Sequence, residues 1–205
     1  QHREPGSPNV GRHEEGIGQN CLGFARDADL EDWQPGRFPV EPQLKPGQDP
    51  SPIARWDPDL WLEGDTYYAL FGFHPGAQRN GRKPTLMKSA DLQSWEYVGE
   101  FFGRDLPDVA GDEDLSCPNF FELGGKHMLL CISHNRGCRY YLGEWANEKF
   151  TPDSHARMNW RGLEVFAPES LLTPDGRRVM WAWCIGSGAG RIGLQSLPRE
   201  LSLPA

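Results

Sequence analysis

The sequence predicts an all-β chain built from repeated antiparallel sheet units, the arrangement of a β-propeller. Three observations predict it. Apolar bursts of strand length recur along the 205 residues, and no 3.6-residue pattern lasts beyond two turns. Gly 24 and Pro 18 together make about a fifth of the chain, which favours many turns over long helices. An internal repeat organises the whole: Ala28-Asp29-Leu30-Glu31-Asp32-Trp33 returns as Ala90-Asp91-Leu92-Gln93-Ser94-Trp95, displaced by 62 residues. A β-sandwich is the competing architecture, and the repeat favours the propeller over it.

The elements follow in order. Residues 1–18 are polar and loop-like, and Asn20 to Ala25 is expected as a short strand. Between Trp33 and Pro52 six prolines (Pro35, Pro39, Pro42, Pro46, Pro50 and Pro52) oppose regular structure. Strands are then predicted at 59–62, 66–71, 85–87, 127–132, 140–142 and 179–183. Glu63-Gly64-Asp65, Gly124-Gly125-Lys126 and Pro174-Asp175-Gly176-Arg177 supply tight turns, so these strands form antiparallel hairpins. Leu142-Gly143-Glu144-Trp145 is a weaker third echo of the repeat. At this period the chain holds about 3.3 sheet units, and residues 19–205 form the propeller part behind a polar segment at 1–18.

Composition narrows the function. An 11% aromatic share is enough for a compact core. A net charge of −8 opposes nucleic acid or an anionic membrane as partner, and no apolar run reaches the length of a membrane span. No signal peptide is visible, and the first residue is not Met, so the chain is expected to be processed or part of a longer product. Five cysteines with no CxxC spacing argue against zinc and against a complete disulfide framework. They are expected as buried free thiols, which favours a reducing, cytoplasmic setting. No metal or cofactor is expected.

Gly188-Ala189-Gly190-Arg191-Ile192-Gly193 spells a dinucleotide fingerprint, but Pro198 and Pro204 follow and no βαβ unit can be built, so it is expected as a loop. Ser133, His134 and Cys138 lack a nucleophile elbow, and His134 is expected in a turn with a substrate contact at its tip. The carboxylates are more telling. Arg55-Trp56-Asp57-Pro58-Asp59-Leu60-Trp61 sets an acid in an aromatic stretch. Gly111-Asp112-Glu113-Asp114-Leu115-Ser116-Cys117-Pro118-Asn119-Phe120-Phe121 does so again about sixty residues later. Equivalent positions of successive blades converge on one end of a propeller channel, where paired carboxylates suit glycoside hydrolysis and aromatic rings suit stacking on sugars. The plainer alternative is that Asp57-Pro58 caps a strand and Asp112 to Asp114 form a solvated loop.

These segments resemble glycoside hydrolase family 32, the invertase, levanase and inulinase family, from about residue 20 to the end. The repeat resembles its S-x-D-L-x-x-W motif. Trp56-Asp57-Pro58 stands where the family has R-D-P, and Ser116-Cys117-Pro118-Asn119-Phe120-Phe121 where it has E-C-P-D-F-F. Tyr140-Tyr141-Leu142-Gly143 resembles Y-x-x-G, Phe166-Ala167-Pro168-Glu169-Ser170 resembles Y-A-P-Q-[ST], and Ser196-Leu197-Pro198-Arg199-Glu200-Leu201 matches S-L-P-R-E-L. The resemblance implies a five-bladed propeller, present here as an incomplete set of four-stranded blades. It further implies retaining hydrolysis of fructosides or related furanosides.

The resemblance also implies residue roles. Asp57 would be the transition-state stabiliser. The family's W-M-N-D-P-N-G segment, which carries the nucleophile, is absent, and its place would precede residue 1. Ser116 stands at the acid/base glutamate, so Glu113 is the preferred substitute and Glu169 the other. Arg55, Trp56, Ser116, Cys117 and His134 are the expected substrate contacts, with a carbohydrate as partner. Because Ser116 cannot protonate a leaving oxygen, a non-catalytic carbohydrate-binding propeller is the alternative. A protein-interaction propeller is the remaining one.

Overall fold

The structure is a computed structural model that describes residues 20–36, 38–50, 53–73, 83–159, 164–185 and 193–204. Among these there is no helix. The strands are β1 (Cys21–Leu22), β2 (Phe38–Pro39), β3 (Trp56–Glu63), β4 (Thr66–Gly72), β5 (Thr85–Ser89), β6 (Glu96–Glu100) and β7 (Ser116–Leu123). They continue with β8 (Lys126–Ser133), β9 (Gly137–Ala146), β10 (Lys149–Arg157), β11 (Val165–Leu172), β12 (Arg178–Cys184), β13 (Leu194–Gln195) and β14 (Arg199–Leu201).

They assemble into antiparallel meanders. β3-β4-β5-β6 is one blade and β7-β8-β9-β10 the next. In the third blade β11 pairs β12, and β13 and β14 both pair β12 at opposite ends. Leu197 and Pro198 fall between those two pieces, and a proline cannot donate to the ladder there. The innermost strands β3 and β11 both pack against β7.

The repeat explains the remaining hairpin. In the first full blade, Ala90 to Trp95 is the turn between the third and fourth strands, with Leu92 at φ 61° and Asp91 Oδ1 accepting from the Gln93 and Ser94 amides. The first copy has the same left-handed residue, Leu30 at φ 59°, but its acceptor lies two positions earlier, Asp27 taking the Glu31 and Asp32 amides. The β1–β2 pair that flanks it is therefore the outer half of a preceding blade. Phe38 and Pro39 pair despite the surrounding prolines, because Pro39 lies on a two-residue edge where its missing N–H costs nothing. Leu142 to Trp145 is no third copy. It runs inside β9, and the turn that follows it is Asn147-Glu148.

Packing between blades is apolar and aromatic. Leu70, Leu86, Phe101, Leu115, Phe120, Leu129, Tyr141 and Phe150 are buried between the first two full blades, with Trp61 and Trp145 packed on them. Phe121, Met128, Leu130 and Met180 join the second to the third. Trp95 sits with Val40, Phe71 and Met87 between the preceding hairpin and the first full blade, which is what fixes the tryptophan of the repeat. The five cysteines are unpaired. Cys131 and Cys138 are buried as expected, Cys117 and Cys184 half-buried, and Cys21 lies at the surface, on a two-stranded edge that cannot cover it. Residues 1–18 and the Gly188 to Ile192 part of the glycine-rich stretch lie outside the described residues.

Candidate active site

Each innermost strand opens with the same irregularity. Asp57 (φ 42°), Cys117 (φ 47°) and Ala167 (φ 42°) adopt the left-handed conformation, each immediately before a proline. At each the ladder slips, between Trp56 and Pro58, between Ser116 and Asn119, and between Phe166 and Glu169. A left-handed residue without glycine costs of order 1–3 kcal/mol and persists only where the surroundings enforce it. Three such bulges in three adjacent strands mark one built end of the channel. They give two sets of equivalent positions, Asp57/Cys117/Ala167 and Asp59/Asn119/Glu169.

The blades are stitched together at this end. Phe73 donates its backbone N–H to the Leu115 carbonyl at 2.7 Å. A Cβ on Gly72 would collide with that same carbonyl, so a side chain there would push away the segment that delivers Ser116. Asp57 Oδ2 accepts from the Cys117 amide at 3.3 Å and lies 3.6 Å from the Cys117 thiol. Burial, then the Asp57 charge, push that thiol up to about 12, so it stays protonated and is no nucleophile.

Asp59 and Glu169 continue the cluster. Asp59 is half-buried, accepts from the Phe120 amide at 2.6 Å and is bonded by the Asn119 side chain. Desolvation raises it to about 6 against those stabilising hydrogen bonds. As a residue Glu169 is exposed, while protein packs around its carboxyl. That crowding is the largest cause raising it to about 7, followed by the charges of Asp59 and Asp57. A carboxyl raised to about 7 is suited to donating and accepting a proton around neutral pH.

The other expected residues divide. Trp56 donates its indole N–H to Ser116 Oγ at 2.9 Å, and Ser116 donates on to Asp114 Oδ2 at 2.9 Å. Asp114 is fully buried and also accepts from Ser133 Oγ (3.0 Å), the His134 amide (2.8 Å) and His134 Nδ1 (2.8 Å). His134 is half-exposed and packs edge-on to Phe166 at 6.0 Å, at the rim where the second and third full blades meet. Arg55 turns to Glu41, at 2.9 Å, and its charge is spent there rather than beside Asp57.

Glu113 is placed differently from its sequence expectation. Its carboxylate is 3% exposed and takes two hydrogen bonds from Arg139, at 2.5 and 2.9 Å. Arg139 also lies 2.7 Å from His155, whose other ring nitrogen is 2.8 Å from Asp108. With Asp112 held by Arg136 and Asn135, the acidic stretch is a pinned segment and not a solvated loop. No described contact links Glu113 to Asp57.

Asp59 is the site residue that sequence reasoning passed over. Its signal was its offset, since it follows Pro58 as Asn119 follows Pro118 and Glu169 follows Pro168. Among the described residues no group of three or more His, Cys, Asp or Glu side chains could hold a metal ion.

Residues 12–205 match the Glycosyl hydrolases family 32 N-terminal domain. The chain belongs to glycoside hydrolase family 32. It is 31% identical over 143 residues to a sucrose-6-phosphate hydrolase of Salmonella typhimurium, a match covering 62% of this chain and 30% of that enzyme. The GH32 β-fructofuranosidase of Bombyx mori superposes with a TM-score of 0.58 at 25% identity, over 72% of this chain and 35% of that one. The sucrose-6-phosphate hydrolase of Lactobacillus gasseri shares the fold, with a TM-score of 0.60 at 20% identity, over 93% of this chain and 46% of that one. The chain thus spans less than half the length of each. Family 32 neighbours are five-bladed β-propellers, and the three full blades with their preceding hairpin are a part of that ring.

Proposed function

We propose that this chain is the channel-lining part of a retaining glycosidase that hydrolyses fructosides. Asp57 is its stabilising carboxylate and Glu169 its acid/base. The nucleophile belongs to a family segment that these 205 residues do not contain. The observation that carries the proposal is the set of three matching left-handed bulges on innermost strands packed side by side, which bring Asp57, Asp59 and Glu169 to the two sets of equivalent positions at one end of the sheet units. Glu169 then protonates the departing glycosidic oxygen and afterwards takes a proton from the attacking water. Asp57 holds furanose hydroxyls and offsets the positive charge that develops on the ring carbon. Sucrose-6-phosphate hydrolases and a β-fructofuranosidase among the relatives support a fructoside as substrate.

Glu113 is assigned to the ion pair with Arg139, whose guanidinium occupies both of its carboxylate oxygens. Trp56 and His134 are assigned to the rim as sugar contacts, His134 oriented by Asp114. Ser116 and Cys117 serve the frame, Ser116 as the link between Trp56 and Asp114. Ser116 in place of a glutamate favours the second reading, a sugar-binding propeller without turnover. Release of fructose from sucrose or inulin by the full-length protein, abolished by Asp57→Asn, supports the enzyme. Saturable binding of the same sugars with no fructose released supports the second reading.

A further inference from the structure

The Asp114 side chain has no solvent access, and among the described residues no lysine or arginine pairs with it. Hydrogen-bond donors hold it instead. Ser116 Oγ donates to Oδ2 at 2.9 Å. From the turn between β8 and β9, His134 gives its amide to Oδ1 and its ring Nδ1 to Oδ2, both at 2.8 Å. A carboxylate only accepts, so these bonds have a fixed direction. Ser116 spends its one proton on Asp114, and its oxygen is left to accept the Trp56 indole N–H at 2.9 Å. The His134 ring in turn meets Phe166 of β11 edge-on. One buried carboxylate thus ties together residues of all three full blades at the bulged end.

We propose that Asp114 is a positioning residue that sets Trp56 and His134 as one unit, so that the two rim contacts engage the sugar jointly. This deepens the reading of Trp56 and His134 as sugar contacts and rests on it. A half-exposed side chain that must be ordered when ligand arrives weakens binding, and one already held in place does not. Asp114 holds His134 directly and Trp56 through Ser116, so loss of its charge loosens both ends of the chain. Asp114 is assigned no reacting atom, and the proton transfer belongs to Glu169. Its effect is therefore on affinity and not on the chemical step.

In the full-length protein, Asp114→Asn keeps the shape but turns one acceptor into a donor, which opposes the protons of Ser116 and His134. Nitrogen-15 NMR of labelled tryptophan reads the Trp56 indole directly and needs no substrate. The Trp56 indole resonance is expected to move, and its N–H to exchange about tenfold faster or more. KM for sucrose is expected to rise about tenfold, with kcat held within about twofold. Ser116→Ala cuts the Trp56 branch without touching the buried charge. It should move the Trp56 indole and leave the His134 ring signals in place. An unmoved Trp56 indole in both variants, or a fall in kcat at unchanged KM in Asp114→Asn, overturns the proposal. Trp56→Phe and His134→Ala, singly and together, supply the second test on the Kd of fructose. Joint action predicts that the double variant loses less than the two single losses combined, and strict additivity overturns it. Wild-type affinity in both single variants removes the sugar-contact reading, while the indole measurement still decides whether Asp114 holds Trp56.

Discussion

Trp56 donates its indole N–H to Ser116 Oγ across 2.9 Å, joining the residues that precede the bulge in two adjacent blades. These are the two positions where the chain departs from the R-D-P and E-C-P motifs, and they depart together. The short serine leaves room that the indole occupies, and Asp114 closes the far side of the serine hydroxyl. Ser116 is fully buried, so the exchange is a packed unit.

The first prediction follows from that coupling. Ser116→Glu drives a larger, charged side chain into a filled space beside Asp114, and it should lower stability by about 1–3 kcal/mol without creating activity. Adding Trp56→Arg should recover a measurable part of the loss, because it vacates the space and supplies a counter-charge. Urea denaturation of the wild type, both single variants and the double variant measures the coupling. Strict additivity would contradict it.

Glu113 should behave as structure. Arg139→Met strands a carboxylate that is 3% exposed and should cost about 3–5 kcal/mol. Glu113→Gln keeps the shape and part of the hydrogen bonding, so the folded fraction should retain its turnover. Turnover lost at unchanged melting temperature would return Glu113 to the catalytic machinery.

Stability should depend on pH through the raised carboxyls. Glu169 moves from an ordinary 4.5 to about 7 on folding, and Asp59 from 3.8 to about 6. Between those values the unfolded chain has lost the proton that the folded protein keeps, so stability falls as pH rises through the window. Below about pH 4 the two contribute no penalty, and above about pH 7 the penalty is complete. Glu169→Gln should therefore melt increasingly above the wild type as pH is raised from 4.5 to 7. A difference in melting temperature that stays constant over that range would contradict the raised value.

The bulges offer a backbone test. Ala167 holds φ 42° with a Cβ, whereas Asp57 belongs to a residue type that tolerates this region. Ala167→Gly should be neutral to stabilising by up to about 1 kcal/mol, since relief of strain exceeds the added chain entropy. A clear loss in chemical denaturation would show that the Ala167 methyl does packing that its conformation conceals.

Much of the fold was legible because inner strands must be apolar on both faces. β4, β8 and β12 lie where the bursts at 66–71, 127–132 and 179–183 predict them. The outer strands β6 and β10 were not legible, since Glu96–Glu100 and Lys149–Arg157 face solvent on one side and read as polar connection. At the candidate site, the Asp-Pro setting singles out Asp57 in the sequence. Asp59 is not singled out, because its equivalence to Glu169 exists only once three strands are in register. The ion pair that holds Glu113 depends on Arg139, a partner 26 residues away and invisible to local pattern.

The central claim is that Glu169 delivers the proton to the leaving group, and leaving-group dependence tests it most directly. Turnover of sucrose should be compared with that of an aryl β-fructofuranoside whose phenolate departs without protonation. Glu169→Gln should lose about 10²–10⁴-fold on sucrose and far less on the aryl substrate, whereas Glu113→Gln should show no such split. Wild-type hydrolysis of sucrose by Glu169→Gln, or the same split in Glu113→Gln, would contradict the account.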